Sequence, residues 1–204
     1  MEHLKLLMRL SLADDANCVD VGANVGDVLG EMALSAPRGR HIAYEPLPEL
    51  AAELRRQFPD IDVRNAALSD TPGEQPFFRV RSASTRSSFF PDRANSEDLE
   101  QLMVRREVLD EALPPDYAPA LIKIDVEGAE AAVLRGARRI LEEHRPTIVL
   151  EHGSAPLSAT REIYSLLTSP GLRVFDMDGR GSFSAAEFET VVARGKVWNF
   201  VAHV

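Results

Sequence analysis

Cysteine is nearly missing from this 204-residue chain. Cys18 is the only one, which excludes an intrachain disulfide and any zinc centre built on several thiolates. Cys18 lies in the apolar run Asn17–Val21, where a buried, inert thiol is expected rather than a nucleophile. No apolar run approaches the ~20 residues of a membrane-spanning helix. The apolar stretch from Met1 to Leu12 is interrupted by Lys5 and Arg9 and lacks a cleavage site, so it reads as a short amphipathic helix, not a signal peptide. Basic residues are also in short supply, with 23 Lys and Arg against 32 Asp and Glu and a net charge of −9. A body that acidic repels phosphate backbones and anionic lipid, so neither nucleic acid nor a membrane surface is an expected partner. The expected setting is cytoplasmic. Repeats and low-complexity tracts are absent. What remains is 45% hydrophobic and 27% charged, the profile of one folded domain over residues 1–204.

Strand-like and helix-like segments alternate along that domain. The spacing predicts strands at 17–21, 41–44, 61–66, 120–125 and 147–151, and helices at 27–35, 48–58, 129–144 and 158–167. Two late strands, 172–177 and 197–203, are separated by turn residues and predict an antiparallel hairpin. This order implies an α/β fold, a mostly parallel sheet with helices on both faces. Residues 71–119 are less regular and read as an insertion covering the site. Gln75–Val80 has strand character and Ser82–Asn95 is a Ser/Arg-rich loop. Periodicity predicts one helix over Ser96–Leu113, with a strand at 104–108 and a helix beginning at Leu109 as the alternative.

Ligands of an open parallel sheet bind at the carboxyl ends of its strands. The polar residues there are Asp20, Glu45, Asn65, Asp125 with Glu127, and Glu151 with His152. The first strand runs into the turn Gly22-Ala23-Asn24-Val25-Gly26, which allows close backbone approach. It does not meet the dinucleotide fingerprint, because Asn24 and Asp27 stand where the second and third glycines belong. Asp27 also places negative charge at a helix N-terminus, unsuited to a pyrophosphate. The turn suits a nucleoside ligand without phosphates. Glu45, about 20 residues on, is placed to accept from a ribose hydroxyl pair, and Asn65 to meet an adenine edge. Their plainer meanings are an exposed acid before Pro46 and a turn-forming Asn.

The segments VDVGANVGD (19–27), YEP (44–46), NAALSD (65–70) and IKIDVEGAE (122–130) resemble, in order and spacing, the FkbM-type S-adenosylmethionine-dependent methyltransferases. EVLDEAL (107–113) and the terminal WNFVAHV fit as well. The resemblance implies a Rossmann-like, seven-stranded, mostly parallel sheet with a C-terminal antiparallel hairpin, a strand at 102–108, and O-methylation of a hydroxyl on a sugar- or polyketide-type small molecule. It implies S-adenosyl-L-methionine as cofactor, held by Asp20, Gly22, Asn24, Gly26, Glu45, Asn65, Ala66 and Asp125, with Ser87 and Ser88 near the cofactor's carboxylate. The chain departs from the family in a short N-terminus and in Val108 where Thr is usual.

Methylating a hydroxyl calls for a general base. Asp125, Glu127, Glu151 and His152 are the candidates, and the structural alternatives are a helix-capping Glu127 and a backbone-bonded His152. The same cluster has the chemistry for a divalent cation, though no metal site is assigned. Asp176–Glu187 matches a calcium loop at positions 1, 3, 6, 8, 9 and 12, but Arg180 occupies a ligand position and the preceding segment reads as strand. A nicotinamide-binding or non-catalytic Rossmann-like domain is the competing reading. Glu45→Ala is expected to weaken cofactor binding while barely changing stability.

Overall fold

The computed structural model describes residues 2–80, 99–153 and 156–204. Its main sheet has seven strands in the order β3-β2-β1-β7-β8-β10-β9. These are β1 (Asn17–Val21), β2 (His41–Tyr44), β3 (Asp62–Arg64), β7 (Pro119–Ile124), β8 (Thr147–Glu151), β9 (Arg173–Asp176) and β10 (Asn199–His203). The first five are parallel, and β10 runs antiparallel between β8 and β9. Chain order reverses direction across the sheet between β1 and β7, the kind of switch point at which α/β sheets hold ligands.

Strand alternation sorts the sheet into two faces. Val19, Val21, Ile122, Ile124, Ile148 and Leu150 face the main core, with α5 (Glu130–Arg135), α6 (Arg138–His144), α7 (Leu157–Thr168) and α8 (Ala185–Ala193). Cys18, Leu121 and Val149 face Leu4 and Met8 of α1 (Glu2–Ser11) and Val28 and Met32 of α2 (Asp27–Ser35). The amphipathic reading of the N-terminus is thereby realised as a helix docked on the sheet. Helix α3 (Pro48–Gln57) buries Ala51 and Leu54 against Leu29, Ala43 and Val63.

The middle segment overturns the periodicity reading. Leu99–Glu107 is strand β6, paired antiparallel with β5 (Gly73–Val80) and in parallel with β4 (Ala67–Leu68). The helical stripe fails because Met103 is 59% exposed, whereas Leu102 and Val104 alternate inward onto Leu47, Ala67 and Phe77. Pairing with β5 decides the conformation over local periodicity. A helix, α4 (Leu109–Ala112), does begin at Leu109.

Two further boundaries differ from expectation. The 129–144 helix is two helices divided at Gly136, which packs so close to the end of β4 that a Cβ there would lie 2.2 Å from the Ser69 carbonyl oxygen. Asp110 then caps α6 through the N–H groups of Arg139 and Ile140. The antiparallel pair at the C-terminus is present, but its connection contains α8 in place of a simple turn.

Candidate active site

The carboxyl ends of β1, β2, β7 and β8 surround a cleft of about 370 Å3, walled by the glycine turn, Glu45, Ala66, Asp125, Glu127 and Glu151. Gly22 and Gly26 both have positive φ, 81° and 90°, a region disfavoured for other residues. A Cβ on Gly22 would sit 2.0 Å from the Asp125 carbonyl oxygen, so only glycine lets these two strand ends meet. Asn24 takes the left-handed conformation (φ 49°), and its buried Oδ1 has no hydrogen-bond partner among the described residues.

Glu45 is buried, not displayed on the surface. Its Oε2 accepts from the Asn24 N–H at 2.8 Å and its Oε1 from the Leu47 N–H at 2.9 Å. Burial pushes its carboxyl up to about 7, against the two N–H donors that favour its charge. The carboxylate therefore ties the glycine turn to the turn after β2. This corrects the expectation that its truncation would spare stability, since two N–H groups would lose their acceptor. The side-chain nitrogen of Asn65 is engaged by backbone. Its Nδ2 donates to the carbonyl oxygens of Glu45 and Pro46, clamping the turn that presents Glu45. Asn65 lines a separate groove beside Arg64 and Arg106, whereas its neighbour Ala66 lines the cleft.

Asp20 is fully buried beneath the turn, and among the described residues neither oxygen has a hydrogen-bond partner in normal geometry. Burial raises its carboxyl to about 6, opposed by the Lys123 charge and the nearby Leu29 N–H and reinforced by Asp125. Asp125 lines the cleft and receives the Lys123 ammonium at 2.9 Å. Lys123 was not singled out by sequence reasoning, although it stands inside the IKIDVEGAE segment. A lysine in an otherwise apolar strand was the available signal. Glu151 lines the same wall, and neither a hydrogen bond nor an ion pair engages its carboxylate among the described residues. Burial first, then the neighbouring Asp125, Glu127 and Glu130 carboxylates, lift it to about 7, with Lys123 opposing.

Glu127, in the left-handed conformation (φ 50°), also lines the cleft. His152 does not. It is 2% exposed and packs on Phe188, with Nε2 bonded to Thr160 Oγ1 at 3.1 Å and Nδ1 3.8 Å from Glu130 Oε2. Its ring turns into the core between β8 and α7, away from the acids it was grouped with. Ser87 and Ser88 lie outside the described residues. Among the described residues no cluster of three or more His, Cys, Asp or Glu side chains has metal-binding geometry.

The calcium-loop match resolves into local capping. Asp176 Oδ1 accepts from the N–H groups of Asp178 and Arg180, and Glu187 closes a capping box with Ser184 at the start of α8.

Comparison with known proteins agrees with this fold. Among solved structures, methyltransferase FkbM from Methylobacillus flagellatus KT superposes with a TM-score of 0.58 at 18% identity, over 95% of this chain and 44% of that one. The rRNA-methylase-like protein from Clostridium thermocellum gives 0.58 at 6% identity, covering 99% and 93%. The O-methyltransferase from Bacillus cereus, solved with SAH, gives 0.51 at 14% identity, covering 98% and 77%. At such identities the likeness concerns the fold. In sequence, the AMB antimetabolite synthetase AmbE of Pseudomonas aeruginosa is 36% identical over 94 residues, which is 43% of this chain and only 4% of the synthetase. A family model described as the methyltransferase FkbM domain matches residues 20–174, well over half of the sequence. The chain belongs to the FkbM family of S-adenosylmethionine-dependent methyltransferases.

Proposed function

We propose that the cleft binds S-adenosylmethionine and methylates a hydroxyl group of a small molecule of sugar or polyketide type. The observation that carries this reading is the cleft's wall of four carboxylates, Glu45, Asp125, Glu127 and Glu151, around a glycine turn. Such a wall suits a cationic ligand and opposes a pyrophosphate. The orphaned Asn24 Oδ1 supplies one further acceptor beside Glu45, and the missing Cβ of Gly22 keeps the turn close to the β7 end. These residues suit the cofactor: Glu45 would accept from the ribose hydroxyls and Asp125 would face the positive charge of the amino-acid part, with the buried Asp20 adding negative charge beneath the turn. When bound, S-adenosylmethionine supplies an electrophilic methyl group on a sulfonium.

The chain's own task is then to orient the acceptor and take its proton. Among the four candidate bases, Glu151 combines a position on the cleft wall, no hydrogen-bond or ion-pair partner among the described residues and a carboxyl raised to about 7, near the value a general base needs. Asp125 is engaged by Lys123, and His152 is held in the core. Calorimetry with S-adenosylhomocysteine is the direct test, with micromolar binding expected, and a folded protein that shows none overturns the reading. Incubation with methyl-labelled cofactor and a panel of sugars, polyketides and phenols then identifies the acceptor. Label found on nitrogen or carbon in place of oxygen would overturn the hydroxyl assignment.

A further inference from the structure

The chain has only three lysines, Lys5, Lys123 and Lys196, and one of them is built into the middle of the sheet. Lys123 lies on β7 directly beside Asp20 of β1 in the strand register, with Val149 of β8 on its other side. Alternation places Asp20 and Lys123 on the face that carries Val149 beside them and Cys18 and Leu121 nearer the strand starts. Asp125 and Glu151 follow at the cleft end of β7 and β8, each two residues on. That face is therefore apolar where α1 and α2 cover it and becomes a row of charges where the strands open into the cleft. The Lys123 side chain is only 8% exposed, with its ammonium 2.9 Å from Asp125 Oδ2. Burial alone would pull its proton affinity down, but Asp20, Asp125 and Glu151 outweigh that effect and hold it above its ordinary value. An isolated buried ammonium is expensive, so a lysine kept at this position is held by the carboxylates around it.

We propose that Lys123 is a positioning residue of the methyl-transfer site: it pins Asp125 in an ion pair at the cleft floor and thereby leaves Glu151 as the carboxylate free to receive the acceptor's proton. The inference rests on the assignment of the cleft as a methyltransferase site. The charges that act on Lys123 are Asp20 from β1, Asp125 just past β7 and Glu151 from β8, and Glu151 is also under the charges of Glu127 and Glu130. From the helices covering this face, α2 contributes the Leu29 N–H toward Asp20. The charges of α1 and α2 at Lys5, Arg9 and Glu31 are spent on one another. Lys123 is thus the single cation of this row among the described residues. Its proton does not move in the reaction. The acceptor hydroxyl's proton would go to Glu151 as its oxygen takes the methyl carbon, while the methyl–sulfur bond of the cofactor breaks and S-adenosylhomocysteine leaves as the neutral thioether.

The test pairs Lys123→Met and Lys123→Arg with the wild type. Removing the cation should let the remaining carboxylates raise Glu151 further. The acidic limb of the kcat–pH profile should then move up by about one pH unit or more, with kcat at neutral pH falling roughly tenfold. Affinity for S-adenosylhomocysteine should change less than about threefold, and Lys123→Arg should restore the limb. A folded Lys123→Met enzyme with an unmoved limb overturns the proposal. NMR of the side-chain ammonium groups covers the case in which Lys123→Met does not fold. With three lysines the spectrum is simple, and the wild-type Lys123 resonance should follow a titration near pH 7 that disappears in Glu151→Gln. A Lys123 resonance indifferent to that substitution also overturns the proposal. Failure of S-adenosylhomocysteine to bind the wild type would instead remove the functional reading itself, and is distinguished by that single measurement.

Discussion

Two acidic regions of this molecule look alike in sequence and behave oppositely in three dimensions. One is the row at the ends of β1, β7 and β8, with Asp20, Asp125, Glu127 and Glu151. The other is Asp176–Glu187, with Asp176, Asp178 and Glu187 spaced like a cation loop. In the second region Asp176 is closed by the backbone N–H groups of its own turn, and Glu187 by Ser184. Local bonding is complete, and the chain gains a turn and a helix cap. In the first region, among the described residues, neither Asp20 oxygen has a hydrogen-bond partner in normal geometry, and no hydrogen bond or ion pair engages Glu151, while both carboxyls are raised by burial. The difference teaches that a spacing pattern does not mark a site. Buried polar groups left without internal partners beside a cleft do, because folding alone would not retain them.

The contrast can be pressed hardest with glycine. Gly22 and Gly179 have nearly the same φ, 81° and 82°, but a Cβ on Gly22 would strike the Asp125 carbonyl whereas Gly179 has nothing within 4 Å. Gly22→Ala should cost more than about 3 kcal/mol and abolish S-adenosylhomocysteine binding. Gly179→Ala should cost about 1 kcal/mol and leave binding intact. Thermal unfolding with calorimetry on both variants checks the pair. Equal behaviour would erase the distinction.

Glu151→Gln comes next. Turnover on whatever acceptor the wild type methylates should fall roughly 10²–10⁴-fold, with cofactor affinity nearly unchanged. Glu187→Gln should leave turnover alone. Steady-state kinetics separates them. For Glu45→Ala, loss of two charge-assisted contacts should weaken cofactor binding roughly a hundredfold. The freed Asn24 and Leu47 N–H groups should lower stability by about 1–3 kcal/mol as well. A variant with wild-type unfolding but weakened binding would show that the two backbone bonds contribute little.

The smallest effect is one of sign. Asp20, Glu45 and Glu151 hold their protons to higher pH folded than unfolded. Between about pH 4 and about 7 the folded chain therefore binds more protons, and their contribution to stability declines as pH rises through that window. Glu187 is held below the usual carboxylate range by the Ser184 N–H. Its contribution is present above that range and lost as pH falls through it. Melting temperatures of Asp20→Asn and Glu151→Gln should accordingly exceed the wild type by a few degrees near pH 7.5 and converge with it near pH 4. Glu187→Gln should differ in the opposite direction. Parallel curves for all three would mean that the first region's carboxylates are not held in a distinct environment.

Much of the fold could be read from the chain, because the signals were local. The runs Asn17–Val21, His41–Tyr44 and Thr147–Glu151 match strand bounds residue for residue, being short apolar runs bounded by turns and caps. The glycine turn and the acid after β2 were legible for the same reason: a positive φ and a strand-end position follow from neighbouring residues. The middle segment was not. Leu99, Leu102 and Leu109 satisfy a helical period, and only the partner strand 73–80 makes Leu99–Glu107 extended.

Sequence by itself thus determined the alternation of strands and helices, the phosphate-averse turn and the set of acids gathered at the strand ends. Tertiary structure alone decided what each acid does. Glu45 became a buried tie between two turns, Asn65 turned to clamp backbone, His152 rotated into the core, and Lys123 came to lie between carboxylates from three strands. The physical reason is that a side chain's charge and partners depend on burial and on groups from distant segments. Asp20 and Lys123 are 103 positions apart in the chain and neighbours in the sheet, a relation that no local pattern encodes.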